Sequence, residues 1–505
     1  DDEGESLPTL FEPLGEGIRK DMARRAPHLA SDVADGLSVK CLASILFMTF
    51  SCLAPAVAFG SLLAVKTQGT MGAFEMIAST SMCGLVYAVT CGQPLTIIGS
   101  TGPVLAFTAI LYSMAQTMGV AFLPFYAWTG LWTAGILLVC AFTSASNLVK
   151  YLTRFTDEIF SGLISMIFIF EAGKDLLGLC LSPSVAPAKA LLSTGLALLT
   201  FYLAMSFRAL RSTPYFSRRF RDTLADFGPT ISIAAAAALG TAAAAHWGVS
   251  LDFLQLPATL APTSPRPWVV DVWAAPLWVR WGAAVPALMV SILMFFDQNI
   301  TTRLVNSKDN KLVKGEGYHL DMLVLSVLTA AMSMLGLPWL VAATVRSLNH
   351  IKSLALTERD EGGQEQLTGH AEQRVTGFGI HLCMGACLIL GRDLLTSLPQ
   401  AVLMGLFLYL GFSAIKGNQF LERIQLLVTE RSRVPELPWT TKVPLSTTNK
   451  YTLLQIGSLL LLYFMKESPL GVFFPVIIGG LQLILMGSMK LGWFSKEDVA
   501  VLDSE

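Results

Sequence analysis

An aspartate interrupts the apolar run SILMFFDQNITTRLV at residues 291–305: Asp297 follows five apolar residues, and Thr301 lies one helical turn beyond it. A charge at the centre of a bilayer costs roughly 2.5–3.5 kcal/mol even on lenient insertion scales. Asp297 therefore has to face a cavity or a partner rather than lipid. A carboxylate beside hydroxyl and carbonyl oxygens is the hard-oxygen environment that a small cation prefers, which makes Asp297 and Thr301 cation-binding candidates. The competing reading is a structural ion pair, because buried charges usually pair.

Two interrupted stretches could serve the opposite charge. GQPLTIIGSTGPV (92–104) and GLPWLVAATVRSL (336–348) align with Gly92 on Gly336, Pro94 on Pro338, and Gly99 and Ser100 on Ala343 and Thr344, an offset of 344 − 100 = 244. Thr101, Gly102 and Pro103 read as the start of one short helix and Thr344 as the start of the other. Proline lacks the N–H that a helix start leaves unused, and glycine lets a ligand come close to the backbone. Broken helices at matching places in two halves are a mark of secondary transporters, whose half-helix N-termini turn their dipoles toward an anion near the midplane.

These residues need a membrane scaffold. Hydrophobic residues make up 53% of the 505 and charged residues 14%, against about 25% charged in an ordinary soluble domain. The reading is an all-α polytopic membrane protein with the lipid bilayer as a partner. Windows of about 20 residues find apolar stretches near 39–63, 71–91, 103–117, 122–145, 156–178, 188–207 and 225–246. After a loop rich in Pro and Trp come seven more, near 280–305, 320–336, 343–355, 375–391, 399–415, 451–466 and 470–488. An odd number per half inverts the second half, so fourteen spans are expected as two inverted repeats of seven, residues 37–246 and 280–490, with the third and tenth spans discontinuous. Residues 1–36 are expected to be a cytosolic segment, 247–279 an extracellular loop and 491–505 a cytosolic tail. The charges agree: Arg19, Lys20, Arg24 and Arg25, then Lys150 and Arg154, then Lys308, Lys311 and Lys314, then Arg423, Arg431, Arg433 and Lys442 fall on the side read as inside, while the 247–279 loop holds only Arg266.

The net charge of −1 hides this sorting and implies no nucleic acid partner. Eight cysteines without a C-x-x-C pair read as small buried hydrophobes. The chain opens DDEGESLP, with no methionine, no basic n-region and no apolar h-region, which does not read as a signal peptide and leaves room for a preceding cytosolic segment. No phosphate loop, Cys/His metal spacing or nucleophile motif is present, so neither an enzyme nor a cofactor is expected.

Seven stretches, GQPLTIIGSTGPVLAF, LTRFTDEIFSGLISMIFIFEAGKDL, FFDQNIT, NKLVKGEGYHLDMLVL, GLPWLVAATVRSLNHIKSLAL, AEQRVTG and VLMGLFLYLGFSAIKGNQFLERIQLL, closely resemble the membrane domain of the bicarbonate transporter family. The family holds chloride/bicarbonate exchangers and sodium-coupled bicarbonate cotransporters. The resemblance runs in order from about residue 27 to about residue 490 and implies a core domain moving against a gate domain, a homodimer, and a substrate site between the third and tenth half-helices. On that packing Thr101, Gly102, Pro103, Thr344, Val345 and Arg346 would bind a small inorganic anion, bicarbonate or carbonate. Asp297, Thr301 and Thr344 would bind a cation, with sodium at Asp297 and Thr301. A guanidinium suits a planar oxyanion, and a cation and an anion sharing one pocket would offset each other's desolvation.

The resemblance is nearest to the sodium-coupled branch in STGP, FFDQNIT, VAATV and EQRVTG, whereas Arg346 is similar to the exchangers. The exchangers typically carry glutamate in place of Asp297, and both branches commonly carry an acidic residue in place of Thr108. Sodium-coupled bicarbonate transport is the reading, with chloride/bicarbonate exchange as the alternative, and borate export or a non-transporting membrane anchor behind them. A plasma membrane with both termini cytoplasmic is implied. Glu171, Lys174 and Lys466 read as snorkelling residues near span ends, His319 and His350 as capping or pairing groups at helix ends, and Trp268, Trp273, Trp278 and Trp281 as an interfacial belt. The Asn299 glycosylation pattern lies inside a span and should stay unmodified.

Overall fold

The computed structural model describes residues 12–151, 153–257, 259–359, 365–415, 418–430, 433–468 and 470–503. Residues 1–11 of the expected N-terminal segment, residues 504–505 of the expected tail, and Arg431 lie outside the described residues.

Helices form at all fourteen expected places. The first seven are α1 (Val39–Lys66), α2 (Ala73–Thr90), α3 (Gly102–Met118), α4 (Phe122–Phe142), α5 (Arg154–Leu181), α6 (Pro187–Leu210) and α7 (Gly228–Trp247). The others are α8 (Ala284–Val305), α9 (Tyr318–Leu335), α10 (Thr344–Ser353), α11 (Val375–Leu390), α12 (Gln400–Ile415), α13 (Leu445–Glu467) and α14 (Phe474–Lys490). Among the described residues, eight helices are long and apolar enough to cross a membrane. α10 is not one of them. Its 10 residues reach about 15 Å, half of a hydrocarbon core of about 30 Å.

Two short strands precede the two interrupted helices: β1 (Ile98–Gly99) before α3 and β2 (Val341–Ala342) before α10. They pair antiparallel, with Ile98 opposite Ala342 and Gly99 opposite Val341. The chain turns into β2 through Gly336, whose φ of 61° is the left-handed conformation that ends a helix with little strain. The Leu337 amide returns to the Met332 carbonyl at 2.9 Å, and Arg266 donates to the Leu335 and Gly336 carbonyls at 3.1 and 2.9 Å, so a cation meets the negative end of α9.

The chain forms two compact units, Asp1–Val149 with Val185–Leu406 and Lys150–Ser184 with Phe407–Glu505. In the first, α4 packs on α9, α2 on α11 and α1, and α6 on α7. Its N-terminal segment is tied in by charge: buried Asp32 accepts from Arg25 at 3.2 Å, Lys314 at 2.9 Å and Arg374 at 3.0 Å. Arg374 in turn donates to the Ala88, Val89 and Cys91 carbonyls at the end of α2. In the second unit α5 packs on α13 and α14, and Glu158 accepts from Arg423 at 2.5 Å and Gln455 at 3.0 Å.

Candidate functional site

The crossing of β1 and β2 is fixed by backbone bonds and side chains. The Ala343 amide donates to the Ile97 carbonyl at 2.8 Å, continuing the pair beyond Ile98 and Ala342. These paired residues are also counterparts in the two sequence halves, because 342 − 98 = 244, the offset of the two G-x-P stretches. Gln298 on α8 accepts the Ala342 amide at 2.8 Å and donates to the Tyr87 hydroxyl at 3.1 Å. Ser347 on α10 accepts the Ile97 amide at 2.9 Å.

Both half-helices begin at this crossing without a side-chain cap. Thr101 is the N-cap of α3, with Gly102 and Pro103 its first two residues; Ala343 is the N-cap of α10, with Thr344 its first residue. An N-cap threonine would ordinarily satisfy an amide of its own helix. The Thr101 hydroxyl instead donates to Asp297 Oδ2 at 2.7 Å. Thr301, one turn along α8 from Asp297, shares a hydrogen bond of 2.6 Å with Thr344 and faces the Ala342 carbonyl at 3.3 Å. A carboxylate, three hydroxyls and a carbonyl thus lie along the starts of α3 and α10.

Arg346 supplies the positive charge. It is 7% exposed and donates through Nη2 to the Ser100 carbonyl, the residue before the N-cap of α3. Its Nη1 is buried with no hydrogen-bond partner, as is the Ser100 hydroxyl. A buried guanidinium nitrogen without an acceptor is costly to leave unmade and suits an incoming anion. Glycine at position 99 makes the placement possible, because a Cβ there would run into the guanidinium. Asp297 and Arg346 form no ion pair within 4.0 Å, so the structural-pair reading of these two charges is not what the geometry adopts. Val345 is different from its neighbours: it is 57% exposed, and its amide lies in the first turn of α10. A cavity of about 10 Å³ beside the site, lined by Ser100, Thr101, Thr108, Leu105, Pro338 and Trp339 among others, has room for about one water.

The model of the bicarbonate transporter integral membrane domain matches residues 12–185 and 178–505. The chain belongs to the bicarbonate transporter family. Members of this family are membrane transporters rather than enzymes and need no cofactor. The chain is 34% identical to electroneutral sodium bicarbonate exchanger 1 of Rattus norvegicus over 559 residues, covering 96% of this chain and 50% of that protein. The sodium-driven chloride bicarbonate exchanger of Homo sapiens is also 34% identical, with 96% and 49% covered, and so is anion exchange protein 3 of Danio rerio, with 98% and 44% covered. The chain spans about half the length of the curated relatives it matches. Among solved structures, the transmembrane domain of the cyanobacterial bicarbonate transporter BicA has a TM-score of 0.57 at 15% identity, covering 83% of this chain and 96% of that one. SLC26A9 has a TM-score of 0.62 at 14% identity, covering 97% and 73%. These two likenesses carry the fold.

Outside the crossing, some side chains read from the sequence take the expected roles and others do not. His350 pairs at a helix end as expected: it lies in the last turn of α10, and its ring meets the Leu95 carbonyl at 2.9 Å and the Thr376 hydroxyl at 2.6 Å. Lys466 and Glu171 stand 3.7 Å apart as an ion pair rather than as separate snorkelling groups. The cysteines form no disulfide, and Cys180 is exposed while Cys140, Cys383 and Cys387 are half-buried, so buried packing describes only Cys41, Cys52, Cys83 and Cys91. Asn299 is buried and donates to the Phe295 carbonyl at 2.8 Å within its helix.

Proposed function

We propose that this chain carries bicarbonate or carbonate across the plasma membrane, coupled to sodium, by alternating access. The carrying observation is the unpartnered Nη1 of buried Arg346 between two uncapped helix starts. Helix dipoles and a guanidinium together favour a small oxyanion. Asp297, Thr301 and Thr344 are the oxygens offered to sodium, and Val345 contributes through its amide. Because the Asp297 carboxylate and the Arg346 guanidinium contact the adjacent residues Thr101 and Ser100, either ion lowers the cost of bringing in the other. The sodium-coupled relatives support this reading.

Fourteen spans in two inverted repeats, a homodimer and cytoplasmic termini complete the proposal. The 244-residue offset recurring in the Ile98–Ala342 pair, 342 − 98, supports the repeats. Chloride/bicarbonate exchange is the second reading, favoured by Arg346 and by the equal identity to anion exchange protein 3. The test is intracellular pH recovery in bicarbonate buffer in cells expressing the protein, with sodium and chloride removed in turn. Recovery lost without sodium is the expected result; recovery that survives sodium removal and fails without chloride replaces it with exchange.

A further inference from the structure

His381 lies in α11 with both ring nitrogens against carbonyl oxygens. Nδ1 stands 2.7 Å from the Gly377 carbonyl of its own helix and Nε2 3.3 Å from the Ile98 carbonyl of β1. Carbonyl oxygens only accept. A neutral imidazole has one N–H and one lone pair, so it satisfies one of the two and turns a lone pair on the other, whereas an imidazolium donates to both. His350 makes the contrast plain, since its second partner is the Thr376 hydroxyl, which can donate to a neutral ring.

The ring has little freedom to turn away. It is 2% exposed, and a Cβ on Gly84 of α2 would overlap it. Ser81 of α2 also donates to the His381 carbonyl at 2.9 Å, locking the two helices together beside the ring. The nearer Gly377 carbonyl favours the single proton of a neutral ring on Nδ1, which turns a lone pair toward Ile98 in the strand crossing, whereas a second proton bonds Ile98 as well.

We infer that His381 is a proton-sensitive positioning residue of the anion site: protonated, it ties β1 at Ile98 and adds positive charge near Arg346; neutral, it leaves the crossing looser. This rests on the anion site lying at the half-helix starts. The groups that reach the ring electrostatically are Arg346 and His350, both on α10. α1 carries no carboxylate, and the carboxylate of α2, Glu75, is occupied by Gly72 and Thr263. Cys83 and Tyr87 of α2 are engaged with Ser79 and Gln298. Burial and repulsion from Arg346 both oppose protonation of His381, and an anion bound at Arg346 relieves the repulsion. Anion binding and proton uptake then reinforce each other, and by reciprocity acid raises anion affinity.

The experiment measures bicarbonate flux at fixed bicarbonate concentrations, with pH set by CO2 between about 5 and 8. In the wild type the KM for bicarbonate should fall several-fold toward acid, with a smaller change in maximal rate. His381→Gln keeps a donor and cannot titrate, so its KM should be flat across this range. Gly84→Ala displaces the ring while leaving the histidine present, and should flatten the profile too. If His381→Gln does not reach the membrane, the wild-type and Gly84→Ala profiles decide. A wild-type KM independent of pH, or variants that keep the wild-type slope, overturn the assignment while leaving transport in place. No bicarbonate flux in the wild type at any pH overturns the transport reading and this assignment with it.

Discussion

The Thr101 hydroxyl donates to the Asp297 carboxylate at 2.7 Å, while the carbonyl of the preceding residue, Ser100, accepts from Arg346. Opposite charges thus grip consecutive residues at the start of one half-helix. Two consequences follow. Thr101 turns its hydroxyl toward Asp297 and caps no amide of α3, which leaves the first amides of that helix for an anion. And neutralising either charge alters the field on the other, which is the physical requirement for coupling a cation to an anion.

Asp297→Asn keeps the shape of the side chain and its ability to accept from Thr101, but removes the charge. Sodium-dependent bicarbonate flux should fall by about tenfold or more, which corresponds to about 1.4 kcal/mol. Flux normalised to surface protein, with and without sodium, checks this. Unchanged sodium dependence in the variant would remove Asp297 from the cation site.

Arg346→Leu removes the guanidinium while keeping an apolar stem of similar bulk. A hydrogen bond to a charged group contributes about 1.5–3 kcal/mol, so the KM for bicarbonate should rise by roughly 10- to 100-fold. The reversal potential under ion gradients should also move if the arginine sets the charge carried per cycle. A variant with wild-type KM and wild-type reversal potential would exclude Arg346 from the site.

The helix starts were legible because their signals are local: Pro103 and Gly102 mark the opening of α3, and the repeated G-x-P marks β2 and α10. The long apolar helices were legible from the 20-residue windows for the same reason. Gln298, Ser347 and His381 were not, since their partners at the crossing are backbone atoms of Ala342, Ile97 and Ile98, 44, 250 and 283 residues away. No spacing rule links a side chain to a backbone atom at that distance; only the fold does. Gln298 stood in plain view beside Asp297, in a motif read for its charge. The exposure of Val345 was hidden for a related reason, because a half-helix of ten residues has too little periodicity to show which face is exposed.

The glycines at the crossing separate two causes of inactivity. Gly99→Ala would put a methyl where the Arg346 guanidinium lies, so it should raise the KM in the manner of Arg346→Leu. Gly102→Val would set a branched side chain at the first residue of α3, and should abolish flux by blocking approach to the amides. Thr101→Ser keeps the hydroxyl and should change flux by less than about threefold, within about 0.6 kcal/mol. All three need flux measured on protein that elutes as a single species after solubilisation. Normal transport by Gly102→Val would move the anion site away from the half-helix starts.

The buried charges of the N-terminal segment are predicted to govern stability rather than flux. Asp32 is fully buried and accepts from Arg25, Lys314 and Arg374. Asp32→Ala leaves three cations facing one another, and breaking a buried pair by removing one partner costs about 3–5 kcal/mol. A thermal melt of the solubilised protein should therefore fall clearly below wild type, while the bicarbonate KM of the surviving folded fraction stays the same. Lys314 adds a pH signature. Burial pulls its pKa down, but its hydrogen bonds to the Asp35 and Asp32 carboxylates outweigh burial and hold it above the ordinary lysine value. A raised lysine contributes fully below its unfolded pKa of about 10.4 and loses that contribution as pH rises through the higher folded value. Lys314→Met should then lower the melting temperature at neutral pH, and the gap from wild type should narrow only in strongly alkaline buffer. A gap that closes between about pH 6 and 8 would mean that a histidine, and not Lys314, carries the pH dependence of this cluster.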